Sequence, residues 1–257
     1  MNTLLQTALL RSYAGMRATG ILSTRAGRWA FSRAYNVYKS RLEAPAAGGL
    51  LSFVPAGSTV IDIGANVGFF TRRFATWVGE AGRVIALEPE PRNARDLHWA
   101  LRADGTLARV QIIEAAAAES EGAARLKLNP AHPGDHRLTD DLSGVDVASV
   151  RLDDILAGDQ RGLLALVKID VQGAEQRVLD GGDRTLRHDR PVWFVEVDDD
   201  HLRAMGSSAA RLIRHFVGAD YSVHELTPVG AGPALDPGAV TQALGPGTYR
   251  DLLFKPC

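Results

Sequence analysis

Short apolar stretches alternate with amphipathic stretches through most of the chain, and this alternation predicts strands and helices in turn. The predicted strands are 60–63, 83–87, 110–115, 164–170, 192–197, 221–226 and 249–254. The predicted helices are 69–78, 92–102, 173–186 and 207–216. The stretch 164–170 is almost entirely apolar, as expected of a central parallel strand that is covered on both faces.

This order of elements predicts an α/β fold whose sheet is mostly parallel, with one antiparallel strand near its edge and helices on both faces. Sheets of this kind bind their ligands at the carboxyl ends of the strands. Acidic residues come at the ends of four predicted strands, namely Asp62, Glu88, Asp170 and Glu196. We therefore expect a functional site at this edge of the sheet.

A turn with spaced glycines follows the first predicted strand. Gly64 and Gly68 are separated by three residues, and Asp62 lies two residues ahead of the first glycine. Because glycine has no Cβ, the backbone can approach a ligand closely and the next helix can start against the sheet. The spacing differs from the Gly-x-Gly-x-x-Gly pattern that seats a dinucleotide pyrophosphate. A nucleoside ligand without a phosphate, such as S-adenosylmethionine, fits the turn better than NAD.

Glu88 ends the second predicted strand, ~20 residues after the turn, where its carboxylate is placed to accept hydrogen bonds from both hydroxyls of a ribose.

Two polar residues of the first strand and the turn each have two interpretations. Asp62 either orients the turn and receives the amino group of a bound methionine portion, or caps the amides of the turn. Asn66 either touches the ligand or stabilises a left-handed turn.

Composition narrows the classes of partner. The chain has 257 residues, of which 46% are apolar and 23% charged, which fits a single α/β domain carrying additions. A net charge of −1, without a basic and aromatic stripe, argues against nucleic acid as a partner.

One cysteine excludes a disulfide or a cysteine zinc site within the chain, which is consistent with the cytoplasmic location that we expect. No apolar run approaches the ~20 residues of a transmembrane helix.

Residues 1–48 are predicted to be a basic helical extension ahead of a catalytic domain that spans 49–257. Arginine and lysine recur among apolar and aromatic residues, and no acidic residue occurs before position 43. The pattern predicts one or two basic amphipathic helices. They either pack on the domain with their arginines in water, cap the ligand cleft, or make a peripheral contact with an anionic lipid surface or a phosphorylated substrate. Assembly into a homo-oligomer stays open as well.

Four ordered blocks of the sequence resemble the FkbM-type S-adenosylmethionine-dependent methyltransferases. They are Ile-Asp-Ile-Gly-Ala-Asn-Val-Gly (61–68), Val-Ile-Ala-Leu-Glu-Pro (84–89), Val-Arg-Leu-Asp-Asp-Ile (150–155) and Leu-Val-Lys-Ile-Asp-Val-Gln-Gly-Ala-Glu (166–175). The resemblance implies a Rossmann-like class I methyltransferase sheet, S-adenosylmethionine as cofactor, and transfer to a hydroxyl of a sugar, glycosylated metabolite or other natural product. It also implies an adenine site near Ala116. Gln172 stands where many relatives carry Glu, and no catalytic role is assigned to it.

Methyl transfer to a small-molecule hydroxyl requires alignment of the acceptor and removal of its proton. Two residues are candidates for accepting this proton. Asp170 ends the fourth strand of the parallel sheet, so its carboxylate points at the cleft. His136 lies in the polar, proline-containing loop 129–137, which is predicted to cover the acceptor. Lys168 should share the side of the strand on which Asp170 lies, either as a structural ion pair or to tune the carboxylate.

The sequence alone leaves several alternatives open. Asp170, Glu196 and the run 198–201 could ligate a divalent cation, but their spacing is not diagnostic and no metal is assigned. The acceptor could instead be a carboxyl or nitrogen group of a small molecule. A nicotinamide-dependent oxidoreductase is disfavoured because the dinucleotide glycine pattern is absent. A catalytically silent binding module is disfavoured because the glycines and Glu88 are all retained.

Overall fold

A computed structural model describes residues 47–129, 136–141, 143–156 and 163–257, together with Thr19 and Thr24. The predicted basic extension therefore lies outside the described residues, apart from Thr19, Thr24 and the two residues that end it. Most of the predicted loop over the acceptor lies outside them as well.

All seven predicted strands are present in the described chain, and further strands lie between residues 116 and 150 and at Gly230–Leu235. The strands are β1 (Thr59–Ile63), β2 (Arg83–Leu87), β3 (Val110–Ile113), β4 (Ala116–Ala117), β5 (Gly122–Lys127), β6 (Arg137–Leu138), β7 (Val145–Val150), β8 (Leu164–Ile169), β9 (Val192–Asp198), β10 (Tyr221–Thr227), β11 (Gly230–Leu235) and β12 (Tyr249–Pro256). The α-helices are α1 (Phe69–Trp77), α2 (Pro91–Ala103), α3 (Leu152–Ile155), α4 (Glu175–Asp180), α5 (Asp199–Ala204), α6 (Ala209–Val217) and α7 (Pro237–Ala243). Short 3-10 helices occupy Gly49–Phe53 and Leu107–Arg109.

The main sheet has eight strands in the order β11-β10-β12-β9-β8-β1-β2-β3. Strands β3, β2, β1, β8 and β9 are mutually parallel, and β12 runs antiparallel between β9 and β10. The predicted fold class, a mostly parallel Rossmann-like sheet with an antiparallel strand near its edge, is therefore confirmed. Strand β11 adds a further strand at this edge. The sequence pattern does not predict it, because Gly-Ala-Gly-Pro-Ala-Leu has no strand-like alternation.

Each face of the main sheet carries its own hydrophobic core, because successive side chains of a strand point to opposite faces. One core joins residues such as Ile61, Val167 and Trp193 to α4, α6 and α7. The other joins the alternate positions, such as Val60 and Leu166, to α1, α2 and the Gly49–Phe53 turn. Asp62, Lys168 and Phe194 are register partners, so these three side chains lie on the second face.

A second, smaller sheet has the order β4-β7-β5-β6, which the hydrophobic pattern does not predict. Its strands are short or largely exposed, so no continuous apolar face marks them in the sequence. Leu126 and Leu138 pack with Ala116 and Ala174 in a small apolar cluster. The guanidinium of Arg177 also donates to both carboxylate oxygens of Asp140, at 3.0 and 2.9 Å. The small sheet is thereby attached to the segment that follows β8.

The predicted helix 173–186 is interrupted, which corrects its extent. Helix α4 ends at Asp180, two glycines follow, and a π-helical turn spans Thr185–Asp189. Glycine disfavours a helix interior. The buried Asp153 carboxylate accepts the backbone N–H of Arg184 at 3.1 Å and of Thr185 at 2.9 Å, which starts the new turn. Asp153 of the block 150–155 thus has a structural role.

No helix among the described residues is long and apolar enough to cross a bilayer.

Candidate functional site

The glycine turn joins the ends of β1, β2 and β8. Gly64 has a φ of 78°, and a Cβ at this position would collide with the backbone oxygen of Asp170. The N–H groups of Gly64 and Ala65 both donate to the Leu87 oxygen at 3.0 Å. Gly68, with a φ of 92°, immediately precedes α1. The turn is therefore held against the two neighbouring strands, and only glycine fits position 64 without moving β8.

Glu88 lies next to this turn and is bound to it. One of its carboxylate oxygens accepts the backbone N–H of Asn66 at 2.8 Å, and the other accepts the N–H of Glu90 at 2.9 Å. The Asn93 amide lies 3.5 Å from the second oxygen. The side chain is only 5% exposed, and burial raises its pKa to about 7, against these hydrogen bonds, which lower it. Glu88 is thus a poorly solvated acid at the carboxyl end of β2.

Asn66 adopts the left-handed conformation that one of its two interpretations requires. Its φ is 50°, and its side-chain oxygen accepts the backbone N–H of Val67 at 2.7 Å. Asparagine tolerates this conformation because its short side chain can bond the local backbone. The geometry supports the turn-stabilising role, while contact between Asn66 and a ligand stays a prediction.

Asp62 and Lys168 form a buried ion pair beneath the turn. Lys168 Nζ lies 3.0 Å from Asp62 Oδ1 and 3.8 Å from the nearer oxygen of Asp170. The Thr71 hydroxyl donates to the second Asp62 oxygen at 2.6 Å. Lys168 also donates to the backbone oxygen of Gly64 at 3.1 Å. Asp62 is fully buried, so this arrangement supports its role in orienting the turn.

Asp170 lies at the carboxyl end of β8, as predicted, and its side chain is 22% exposed. Its backbone N–H donates to the Ile63 oxygen at 3.1 Å, which sets it beside the glycine turn. The Gln172 side-chain nitrogen donates to Asp170 at 2.9 Å and to Glu196 at 2.8 Å. A single amide thus links Asp170, which follows β8, to Glu196, two residues before the end of β9. No sequence pattern predicts this link, because it depends on the register of the two strands.

Glu175 is a further buried acid, which the sequence does not single out. One oxygen accepts the backbone N–H of Gly173 at 3.0 Å and of Val171 at 3.4 Å. Its other oxygen is buried without a hydrogen-bond partner among the described residues. Burial raises the pKa of Glu175 to about 7, and the neighbouring charge of Asp170 contributes to the rise. Glu175 therefore supports the turn that follows Asp170.

His136 lies immediately before β6, in the smaller sheet. Its Nδ1 accepts the backbone N–H of Asn129 at 3.1 Å, across the predicted loop. In a neutral imidazole this bond assigns the ring proton to Nε2, so that Nε2 is a donor. The catalytic role of His136 stays a prediction, and this hydrogen bond favours donation to an acceptor molecule over proton removal.

Ala116 is buried in the small apolar cluster with Leu126 and Leu138, at the start of β4. Its neighbour Ala115 donates its N–H to the Ile113 oxygen at the end of β3, at 2.9 Å. The chain therefore turns from the main sheet into the smaller one at this point, which places small side chains beyond β3. An adenine site at Ala116 remains a prediction.

The acidic run 198–201, which offered a metal alternative, caps helices and loops. Asp198 accepts the N–H of His201 at 3.1 Å, and Asp199 accepts the N–H of Ala209 at 2.7 Å. Asp200 accepts the N–H of Gly247 at 2.7 Å. Within the part of the chain that the structure describes, no group of three or more His, Cys, Asp or Glu side chains is arranged to hold a metal ion.

Comparison with known proteins gives a consistent family match. Residues 62–223 match the family described as Methyltransferase FkbM domain. A 2-O-methyltransferase, NoeI, of Sinorhizobium fredii is 29% identical over 163 residues, which cover 56% of this chain and 64% of NoeI. The chain thus matches less than two thirds of the length of this relative. All of the predicted site residues fall within the segment that matches the family.

Among solved structures, the methyltransferase FkbM of Methylobacillus flagellatus has a TM-score of 0.49 at 19% identity, over 77% of this chain and 44% of that one. An S-adenosylmethionine-dependent O-methyltransferase of Thermotoga maritima has a TM-score of 0.45 at 15% identity, over 82% of this chain and 63% of that one.

Proposed function

The chain belongs to the methyltransferase FkbM domain family, and we propose that it transfers a methyl group from S-adenosylmethionine to a hydroxyl oxygen of a small molecule. The observation that carries this proposal is the Glu88 carboxylate bound to the glycine turn beside Asp170. It combines a nucleoside-binding acid with a candidate proton acceptor at one edge of the sheet.

The residues at the end of β2 fit the ribose of this cofactor. Each carboxylate oxygen offers two acceptor positions. Backbone amides of Asn66 and Glu90 take one position on each oxygen of Glu88, and the Asn93 side-chain amide makes a long contact of 3.5 Å with the oxygen that Glu90 binds, which a ribose hydroxyl would replace. Two ribose hydroxyls are donors of the right number and polarity for the same carboxylate. They would also compensate a charge that burial disfavours. We assign Glu88, Gly64, Gly68 and Asn66 to the cofactor side, with Asp62 beneath the turn and Ala116 toward the adenine.

The chain itself must align the acceptor and take up its proton. S-adenosylmethionine, when bound, supplies a methyl group on a positively charged sulfur, and the thioether that leaves needs no acid. An alcohol holds its proton until the methyl is partly transferred, so a nearby acceptor for this proton contributes to the rate. Asp170 is partly exposed at the end of β8, and its carboxylate accepts the hydroxyl proton. His136 Nε2 donates a hydrogen bond to the acceptor molecule.

A hydroxyl of a sugar, glycosylated metabolite or other natural product is the acceptor that we infer. The support is the 2-O-methyltransferase name of the matched relative, together with an edge of the sheet that carries two carboxylates able to accept from hydroxyl donors. We further infer that nucleic acid is not the acceptor, because a net charge of −1 gives the chain no bulk attraction for nucleic acid. A cytoplasmic location is consistent with one exposed cysteine in the whole chain.

The test has two stages. Calorimetry with S-adenosylhomocysteine, beside NAD as the comparison ligand, should show binding of the first and none of the second. Binding of NAD alone would replace the methyltransferase proposal with an oxidoreductase.

Turnover is then measured with S-adenosylmethionine carrying a labelled methyl group and a panel of methyl pyranosides, each beside its 2-deoxy counterpart. Label in the intact sugars, resistant to mild base, supports an ether product. Base-labile label on a carboxylic acid, or label on an amine, would overturn oxygen transfer to a hydroxyl.

A further inference from the structure

Gln172 adopts a backbone conformation that is unfavourable for a residue with a Cβ. Its φ is 56°, a left-handed conformation that non-glycine residues seldom adopt. The following residue, Gly173, has a φ of 107° and lies against the backbone of His201, where a Cβ would meet the His201 oxygen at 2.5 Å. Glu175 holds the turn from below through the N–H groups of Val171 and Gly173. The turn is therefore held in one conformation by its surroundings.

This conformation places the Gln172 amide between two carboxylates. Its nitrogen donates one hydrogen to Asp170 at 2.9 Å and the other to Glu196 at 2.8 Å. The opposite amide orientation would put the side-chain oxygen against two acceptors, so the chemistry of the neighbours determines which end faces them. Since both hydrogens are used, the amide favours the charged form of both acids at once.

Asp170 and Glu196 have other charged neighbours, whose effects on the two carboxylates oppose one another. Lys168 lies 3.8 Å away on the same strand, although its closer partner is Asp62. Glu175 on α4 couples to Asp170 unfavourably, and Asp251 on β12 is the register partner of Glu196. Two acids at one strand edge repel each other unless a donor joins them. Gln172 is the neutral donor that joins them.

From this geometry we propose that Gln172 is a positioning residue, which keeps the side chains of Asp170 and Glu196 together as a pair of hydrogen-bond acceptors for the acceptor molecule. The proposal rests on the proposed function, in which Asp170 takes up the hydroxyl proton. It also names a class of acceptor, because two linked carboxylates suit a molecule with two neighbouring hydroxyls. One hydroxyl is methylated, and the second donates to Glu196.

The first test measures the link without catalysis. Protein labelled with ¹³C at aspartate carboxyl carbons is titrated by NMR, and the Asp170 signal is identified by its loss in Asp170→Asn. Gln172→Glu replaces two donated hydrogens with a third negative charge, so the Asp170 titration should move upward by about one pH unit or more. Gln172→Met, which adds no charge, should move it upward by less.

The matched control is Gln111→Glu, the same chemical change at an exposed position of β3, three strands away from β8. It should leave the Asp170 titration within about 0.2 pH units of wild type, since exposed charges at that separation are largely screened. An Asp170 titration that is equally unmoved in Gln172→Glu and Gln172→Met would overturn the proposal. If Gln172→Glu does not fold, the Asp170 titration of Gln172→Met alone decides the test, and an unmoved titration in that variant overturns the proposal.

The second test uses turnover. In Gln172→Glu the acid limb of the pH profile of kcat should move to higher pH, while S-adenosylhomocysteine affinity stays within about twofold. Combining Gln172→Glu with Glu196→Gln restores the net charge of the wild type. The double change should reverse most of the shift of the acid limb, which a merely structural role of Gln172 would not do.

Among active acceptors, removing the neighbouring hydroxyl should raise KM at least tenfold in wild type and much less in Glu196→Gln. An equal effect in both proteins contradicts the diol assignment. Failure of the proposed function itself shows separately, as absent S-adenosylhomocysteine binding in the wild type.

Discussion

The carboxylate of Glu88 accepts the backbone N–H of Asn66 at 2.8 Å, so the acid that ends β2 and the glycine turn that follows β1 form one unit. A ligand that displaces or supplements this bond therefore acts on both strands. Since the same acid is buried, its protonation state and the binding of a nucleoside are linked.

Replacing Glu88 with Ala should abolish measurable binding of S-adenosylhomocysteine. Two charge-assisted hydrogen bonds at about 1.5–3 kcal/mol each correspond to a loss of at least 100-fold in affinity. Calorimetry gives the affinity, and circular dichroism reports whether the fold is retained. The control is Glu114→Ala, an exposed acid after the neighbouring strand β3, which should bind as wild type. Unchanged affinity in Glu88→Ala would remove the ribose assignment.

Binding should also release protons near pH 7. Burial raises the pKa of Glu88 to about 7, so the free protein carries a proton on this group in about half of its molecules at that pH. Donors from a ribose favour the charged form and lower the pKa, which expels the proton. Calorimetry in buffers of different ionisation enthalpy should give a release of about half a proton per ligand. Release that persists undiminished in Glu88→Gln would assign the proton to another group.

The free energy of unfolding should fall as pH rises from about 5 to 8. Glu88 and Glu175 both have a folded pKa of about 7, above the ordinary value of 4.5. The folded state then binds more protons than the unfolded state between these values, so stability is lost as pH rises through this window. Each group contributes up to about 3 kcal/mol.

Urea unfolding at a series of pH values measures this dependence. Glu175→Gln should flatten the curve by about half, because the amide cannot ionise. A pH dependence equal to that of wild type in this variant would show that Glu175 ionises normally in the folded protein.

Lys168→Met should destabilise the fold by about 3–5 kcal/mol, because it leaves the buried Asp62 charge without its partner. Adding Asp62→Asn should recover part of the loss, which a double-mutant cycle in urea detects. The control is Lys127→Met, since Lys127 pairs with Asp141 at 3.8 Å with both side chains more than half exposed. That change should cost less than about 1 kcal/mol. Equal effects of the two lysine variants would argue against a buried charge pair.

His136→Ala should leave S-adenosylhomocysteine binding unchanged and lower kcat about tenfold, the effect of losing one donor to the acceptor molecule. Asp170→Asn should lower kcat by about 100-fold or more. His98→Ala, at an exposed position of α2, is the control for the histidine change. A wild-type kcat in His136→Ala would show that His136 does not contribute to catalysis.

The sequence by itself determined seven of the eight strands of the main sheet, with their ends placed to within two residues, and the helices α1, α2 and α6 between them. Periodicity carries this information, because burial on one or two faces dictates which positions are apolar. Asp62, Glu88 and Asp170 could be placed at one edge of the sheet for the same reason, since parallel strands end at the same edge. The extent of the 173–186 helix was wrong, because the Asp153 carboxylate that starts a new turn comes from a distant part of the chain.

Only the tertiary structure decided which of these side chains pair with one another. Lys168 could have paired with Asp170, its neighbour on the strand, but the register of β1 against β8 brings it closer to Asp62. The bridge from Gln172 to Glu196 depends on the register of β8 against β9 and on a left-handed turn. The short strands of the smaller sheet likewise carry no pattern of their own. Local sequence encodes local periodicity, whereas pairing between distant strands is fixed by the packing of the whole domain.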